Sequence, residues 1–169
     1  MTDVSPQLWS KNFILVSAIN LCLVLVFYLL VIVIVGYAVH ELHVSIAQAG
    51  LVSGLFIVGA LLGRFIVGKL MQRWGAKTCL YFGLTGFFLT SLLYFIPLGI
   101  ESLLLVRLTH GMMMGIASSV LGTVIAQIIP AQRRGEGIGY YSMSSTLGTA
   151  IGPFLAIWLT QQVSYAVIY

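Results

Sequence analysis

Between residues 13 and 39 the chain carries no Asp, Glu, Lys or Arg, and apolar runs of similar length recur along the rest of it. A run of about 20 apolar residues is long enough to cross a hydrocarbon core of roughly 30 Å at about 1.5 Å per residue. A chain made of such runs belongs in a bilayer, because a soluble domain of this size has no interior that could hide them all. Composition agrees, with 60% of residues hydrophobic, 7% charged and a mean hydropathy of +1.07. The runs are continuous and do not alternate at period 2. Helices, which satisfy their own backbone hydrogen bonds, are therefore indicated over a β-barrel.

The expected fold is an all-α integral membrane bundle with five complete transmembrane helices at 13–39, 45–71, 78–96, 102–129 and 138–160. Short connections make neighbours antiparallel, and Pro97 with Gly99 and Pro130 mark two of the turns. Residues 163–169 begin another apolar run that is too short to cross, which reads as the start of a sixth helix in a larger bundle. The first run far exceeds the apolar stretch of a cleavable signal peptide. Cys22 and Cys79 fall inside apolar segments and read as small apolar residues.

The net charge of +4 has a topological reading. Lys11, Lys69, Arg73, Lys77, Arg133 and Arg134 all fall on one side if the N-terminus is cytoplasmic, whereas the opposite connections carry His40, Glu41, His43 and Glu101 and no Lys or Arg. That is the asymmetry of the positive-inside rule, and it predicts a multi-pass protein of the cell (inner or plasma) membrane, with the lipid bilayer as its surroundings. Cations placed between apolar runs, not on a solvated face, argue against nucleic-acid binding.

Three motifs occur in order along the chain. The first, in the connection at 68–77, contains Gly68, Gln72, Arg73, Gly75 and Lys77. Glycine suits a tight turn with positive φ, and cations hold such a turn at an anionic leaflet. The second, on the fourth helix, is Arg107-x-x-His110-Gly111-x-x-x-Gly115. An intramembrane arginine is a functional candidate, although Arg107 lies near enough to the outer end to snorkel there instead, and a lone helix histidine such as His110 is often a hydrogen-bonded packing residue. The third, on the fifth helix, is Gly139, Gly148 and Gly152-Pro153, where small residues admit a neighbouring helix and the proline bends the chain.

Together these motifs resemble those of the major facilitator superfamily: its basic loop, its buried-arginine helix and the fifth-helix motif of its proton-coupled drug exporters. The resemblance covers essentially the whole chain. It implies the N-terminal half of a fold of about twelve helices, with a mid-membrane cavity and alternating access by rocking of two halves, so the missing C-terminal half is an implied partner. It also implies protons as coupling ion, with Arg107 lowering the proton affinity of a nearby acid or base as it approaches and His110 as its candidate partner. Gln72 stands where the family loop has aspartate, which implies a weaker cytoplasmic latch, offset by contacts among Arg73, Arg133, Arg134 and Glu136. Ala156 stands where the exporter motif ends in glycine.

Asn20, Tyr28, Ser118, Ser119, Gln127, Tyr141 and Ser145 are polar positions in apolar surroundings, open either to a substrate cavity or to interhelical hydrogen bonds. Met112–Met114 suggests an adaptable apolar wall. No acid lies on the first helix to carry a proton. Paired core carboxylates, a Ser/His/Asp set and a phosphate loop are absent from the sequence, so no enzyme, cofactor or metal is indicated. The cluster His40, Glu41, His43 reads as a polar outer loop. The expected function is secondary active transport, as proton-coupled efflux of small, amphipathic molecules. The alternatives are a proton-coupled uptake symporter and a non-transporting membrane scaffold or assembly subunit.

Overall fold

The computed structural model describes residues 7–96 and 99–162, all of them helical or in short connections. The start of a sixth helix expected at 163–169 and Pro97 lie outside the described residues. Helix α1 spans Lys11–His40, with the Ser10 side chain accepting from the Phe13 amide at 3.2 Å as N-cap. Helix α2 spans Ile46–Leu92 and starts at a capping box, in which Ser45 and Gln48 each satisfy the other's backbone amide. After a 3₁₀ turn at Leu93–Phe95, α3 runs over Ile100–Ile128. Pro130 then leads through a second 3₁₀ turn into α4, Arg134–Gln162, which contains Pro153.

Where the sequence suggests separate helices at 45–71 and 78–96, the backbone stays helical on both sides of a single break. Gly75 has φ 79° and ψ 158°, the only non-helical residue inside α2. Only glycine adopts this conformation cheaply, so one residue replaces the expected loop, and Gly68, Gln72, Arg73 and Lys77 all sit on helix. At 47 residues α2 would be about 70 Å long if straight, more than twice a bilayer core. It is not straight. Before Gly75 its contacts with α3 ascend together, Phe56 meeting Gly111 and Gly63 meeting Met112 and Ile116. After Gly75 they descend, Gly83 meeting Ala117 and Phe87 meeting His110. The two arms of α2 therefore run in opposite directions against the same helix.

Helix α3 is the centre of this arrangement, with both arms of α2 against it, while α1 packs chiefly on α4. One apolar cluster joins Leu8 and Phe13 to Leu121, Ile125 and Ile129, and another joins Tyr37 and Ala38 to Tyr94 and Leu103. These place the N-terminus of α1 at the same end as Gly75. The six cations Lys11, Lys69, Arg73, Lys77, Arg133 and Arg134 thus gather at one end of the bundle. The outward surface is as apolar as the core, with Phe65, Phe88, Leu105 and Phe154 exposed, which suits lipid and not water. Among the described residues, four helices are long and apolar enough to cross a membrane.

Candidate functional site

Arg107 and His110 lie three residues apart on one face of α3, and both are fully buried. Arg107 does not reach for the outer interface. Its Nη2 donates to the Leu30 carbonyl of α1 at 2.7 Å, about 15 Å below the end of that helix. The guanidinium carbon stands 5.6 Å from the ring centres of both Phe56 and Tyr94, so two aromatic faces from opposite arms of α2 and its 3₁₀ extension flank the charge. Such contacts are worth about 0.5–2 kcal/mol each. They replace only part of the lost hydration, and Nε and Nη1 make no hydrogen bond among the described residues.

His110 completes the cluster. Its Nδ1 lies 3.1 Å from the Tyr94 hydroxyl, and its ring packs 4.2 Å from Phe87 and edge-on to Phe56 at 5.4 Å. A neutral imidazole accepts from the phenol at Nδ1, whereas a protonated one donates to the phenol oxygen. The Tyr94–His110 pair thus survives either state with its polarity reversed. Leu30, Phe56, Phe87 and Tyr94 come from other helices or connections, and nothing in their sequence spacing singles them out.

The closeness of this cluster depends on glycines facing each other across α2 and α3. Gly59 and Gly63 on the first arm of α2 meet the Leu108 and Met112 carbonyls, while Gly111 and Gly115 meet the Phe56 and Ala60 carbonyls. The seam is a reciprocal pair of small-xxx-small faces, which lets the two backbones touch and brings Phe56 under Arg107. The buried-arginine motif contains Gly111 and Gly115, but Gly59 and Gly63, which complete the seam from the α2 side, were not evident from it.

A cavity of about 290 Å³ opens between the helices, lined by residues of all four. Of the expected polar positions it takes Asn20, Ser118 and Ser145. The Asn20 amide donates to both Ser144 and Ser145 hydroxyls at 2.8 Å, tying α1 to α4. Tyr28, Ser119, Gln127 and Tyr141 do not line it. Tyr28 packs against Gly152 and Phe27, the Ser119 hydroxyl donates to its own helix at Gly115, Gln127 is exposed, and Tyr141 packs into the apolar cluster around Leu8 and Phe13. Met114 contributes to the apolar wall, whereas Met112 and Met113 pack into the core around Cys79. Arg64 lines the cavity as well, four residues before the basic segment 68–77.

On α4, Gly148 and Gly152 are buried against Val24, Leu25 and Tyr28 of α1, so two glycines of the fifth-helix motif are packing contacts. Gly139 is exposed with nothing near it, and Pro153 is half-buried beside Gly152. At the basic end, Arg133 donates from Nε and Nη2 to both Glu136 oxygens at 2.8 and 2.6 Å. Glu136, in the first turn of α4, is therefore engaged by the 3₁₀ turn that precedes it. Gln72 and Arg73 are exposed and make no hydrogen bond with Arg133, Arg134 or Glu136 among the described residues, so the expected compensating contacts are reduced to the Arg133–Glu136 pair.

Long apolar helices, a buried cation at their crossing and a largely apolar cavity between them with a few polar groups in its wall define a polytopic helical membrane protein. Residues 16–169 match the family model of the Major Facilitator Superfamily, and the chain belongs to this family of membrane transporters. Among curated proteins it is 30% identical over 132 residues to the hexuronate transporter of Bacillus subtilis (strain 168), covering 76% of this chain and 31% of that protein. It is 27% identical over 132 residues to Multidrug resistance protein 1 of the same organism, covering 78% of this chain and 34% of that protein. It is 36% identical over 80 residues to the colistin resistance protein EmrB of Acinetobacter baumannii, covering 47% of this chain and 16% of that protein. The chain spans at most about a third of the length of these relatives.

Proposed function

We propose that this chain forms the N-terminal bundle of a proton-coupled secondary transporter that exports small, amphipathic molecules by alternating access. The observation that carries this reading is the cavity, in which Asn20, Arg64, Ser118 and Ser145 interrupt an otherwise apolar wall at the meeting of all four helices. In this reading α2 crosses twice, giving five crossings. The six clustered cations face the cytoplasm of the cell (inner or plasma) membrane, and a C-terminal half closes the cavity. The likeness to multidrug and colistin resistance proteins supports export, as does the Gly148/Gly152 face. Uptake by symport is the second reading, since the likeness extends to a hexuronate transporter as well as to the resistance proteins.

The full-length protein in proteoliposomes decides between them. Export by exchange predicts that an imposed proton gradient drives an amphipathic dye against the direction of proton flow, and that a protonophore abolishes the movement. Dye and protons moving together would replace exchange by symport, and flux indifferent to the protonophore would remove the proton from the mechanism.

The same reading makes Gln72 a weakened latch, because an amide lacks the charge that a carboxylate would place beside the helix ends of the basic face. Gln72→Asp is expected to shift the population about two- to fivefold toward the inward-closed state, the range that a helix-end charge supplies. Accessibility labelling of single-cysteine reporters on the two faces reads this directly, and an unchanged ratio would remove Gln72 from the latch.

A further inference from the structure

Arg64 lies on the first arm of α2, 11 residues before the reversal at Gly75, or about 16 Å along the helix. It stands five residues, or about 7 Å of helix, before Lys69 of the basic end, and its side chain is exposed. Its side chain makes no ion pair or hydrogen bond among the described residues, and it lines the cavity together with Asn20, Ser118 and Ser145. No acidic residue lines that cavity.

The cavity's polar groups are mostly donors. Arg64 offers a planar fork of N–H groups. The Ser145 hydroxyl accepts from Asn20, which leaves its own proton to donate, and the Ser118 hydroxyl makes only a long 3.4 Å contact to its own helix. Behind the wall, Phe56 lines the cavity on one side and lies under the Arg107 guanidinium on the other, so a second positive charge stands one ring away. The remaining wall is apolar, with Phe27 stacked on Phe56 at 5.0 Å and Met114 beside it. A site with net positive charge, hydroxyl donors and an apolar, aromatic wall matches an anionic head on an apolar body.

We infer that Arg64 is the anchor of an anion subsite in this cavity, and that the molecules bound there are small amphipathic carboxylates. The inference rests on the cavity being the substrate path, and it adds the charge class of the substrate. Arg64 pairs with the carboxylate through parallel N–H donors, Ser145 and Ser118 supply further donors, and the ring or chain of the ligand lies against Phe27 and Met114.

Binding of benzoate and of its neutral isostere benzamide to the full-length protein, purified in detergent and measured by calorimetry without any gradient, tests this. Wild type is expected to prefer benzoate by at least about tenfold, the value of one charge-assisted hydrogen bond in a partly dry site. R64Q is expected to remove that preference while leaving benzamide within about twofold, and R64K to retain part of it. If R64Q does not fold, the wild-type preference and an S145A variant weakened a few-fold for benzoate alone carry the test. Equal affinity of wild type for both probes, or the same benzoate affinity in R64Q, would overturn the subsite. Benzoate binding with no gradient-driven flux would sink the transport reading and leave the subsite standing. Flux of a neutral dye with no benzoate binding would do the reverse.

Discussion

Replacing Arg107 by alanine is expected to lower proton-gradient-driven flux about 10- to 100-fold while the protein still inserts and folds. The magnitude follows from the hydrogen bond to the Leu30 carbonyl, which is worth about 1.5–3 kcal/mol when the donor is charged, and tenfold in rate corresponds to about 1.4 kcal/mol. Folding survives because the guanidinium is only partly compensated in the bilayer interior. Its removal relieves a desolvation penalty as it opens a space between Phe56 and Tyr94. Arg107→Lys keeps the charge, loses the planar fork that lies between two rings, and is expected to fall between wild type and alanine. Flux in R107A equal to wild type, with its dependence on the gradient intact, would reduce Arg107 to a structural strut between α3 and α1.

The seam between α2 and α3 gives the second large effect. A Cβ at Gly111 would overlap the Phe56 carbonyl oxygen and one at Gly115 would overlap that of Ala60, both backbone atoms that no rotamer change can move. Gly111→Ala is therefore expected to cost about 1–3 kcal/mol, the usual range for overpacking a close contact, and to push Phe56 away from Arg107. Gly122→Ala on the same helix has open space within 4 Å and serves as the control. It should be neutral or slightly stabilising, since alanine favours a helix over glycine by about 1 kcal/mol. A lower thermal midpoint in Gly111→Ala alone, with reduced flux, fits the seam. Equal midpoints would mean that the backbones do not touch in the membrane.

Much of the candidate site was legible in the sequence only as isolated positions. Arg107 stood out because a cation inside an apolar run is expensive anywhere, and Gly75 because a glycine between cations suits a reversal. Tyr94 did not stand out, since it reads as an interfacial aromatic at a helix end, and it reaches His110 only because the second arm of α2 runs back along α3. Arg64 did not stand out beside the basic segment that follows it, and only the packing of the helices shows that it lines the cavity. Tyr28 and Ser119 look like cavity residues in the sequence, yet one packs on Gly152 and the other bonds its own helix.

By itself the sequence determined the class of this protein, the approximate places of its long apolar helices and the end that gathers the cations. Those follow from run length and from the transfer cost of each charge, which are local sums along the chain. Rotation of each helix about its axis was left to the tertiary structure. In α1 every face is apolar, so no stripe distinguishes the interior from lipid, and the facing glycines of α2, α3 and α4 settle which sides meet. The partners of Arg107 and His110 and the place of Arg64 in the cavity follow from that packing.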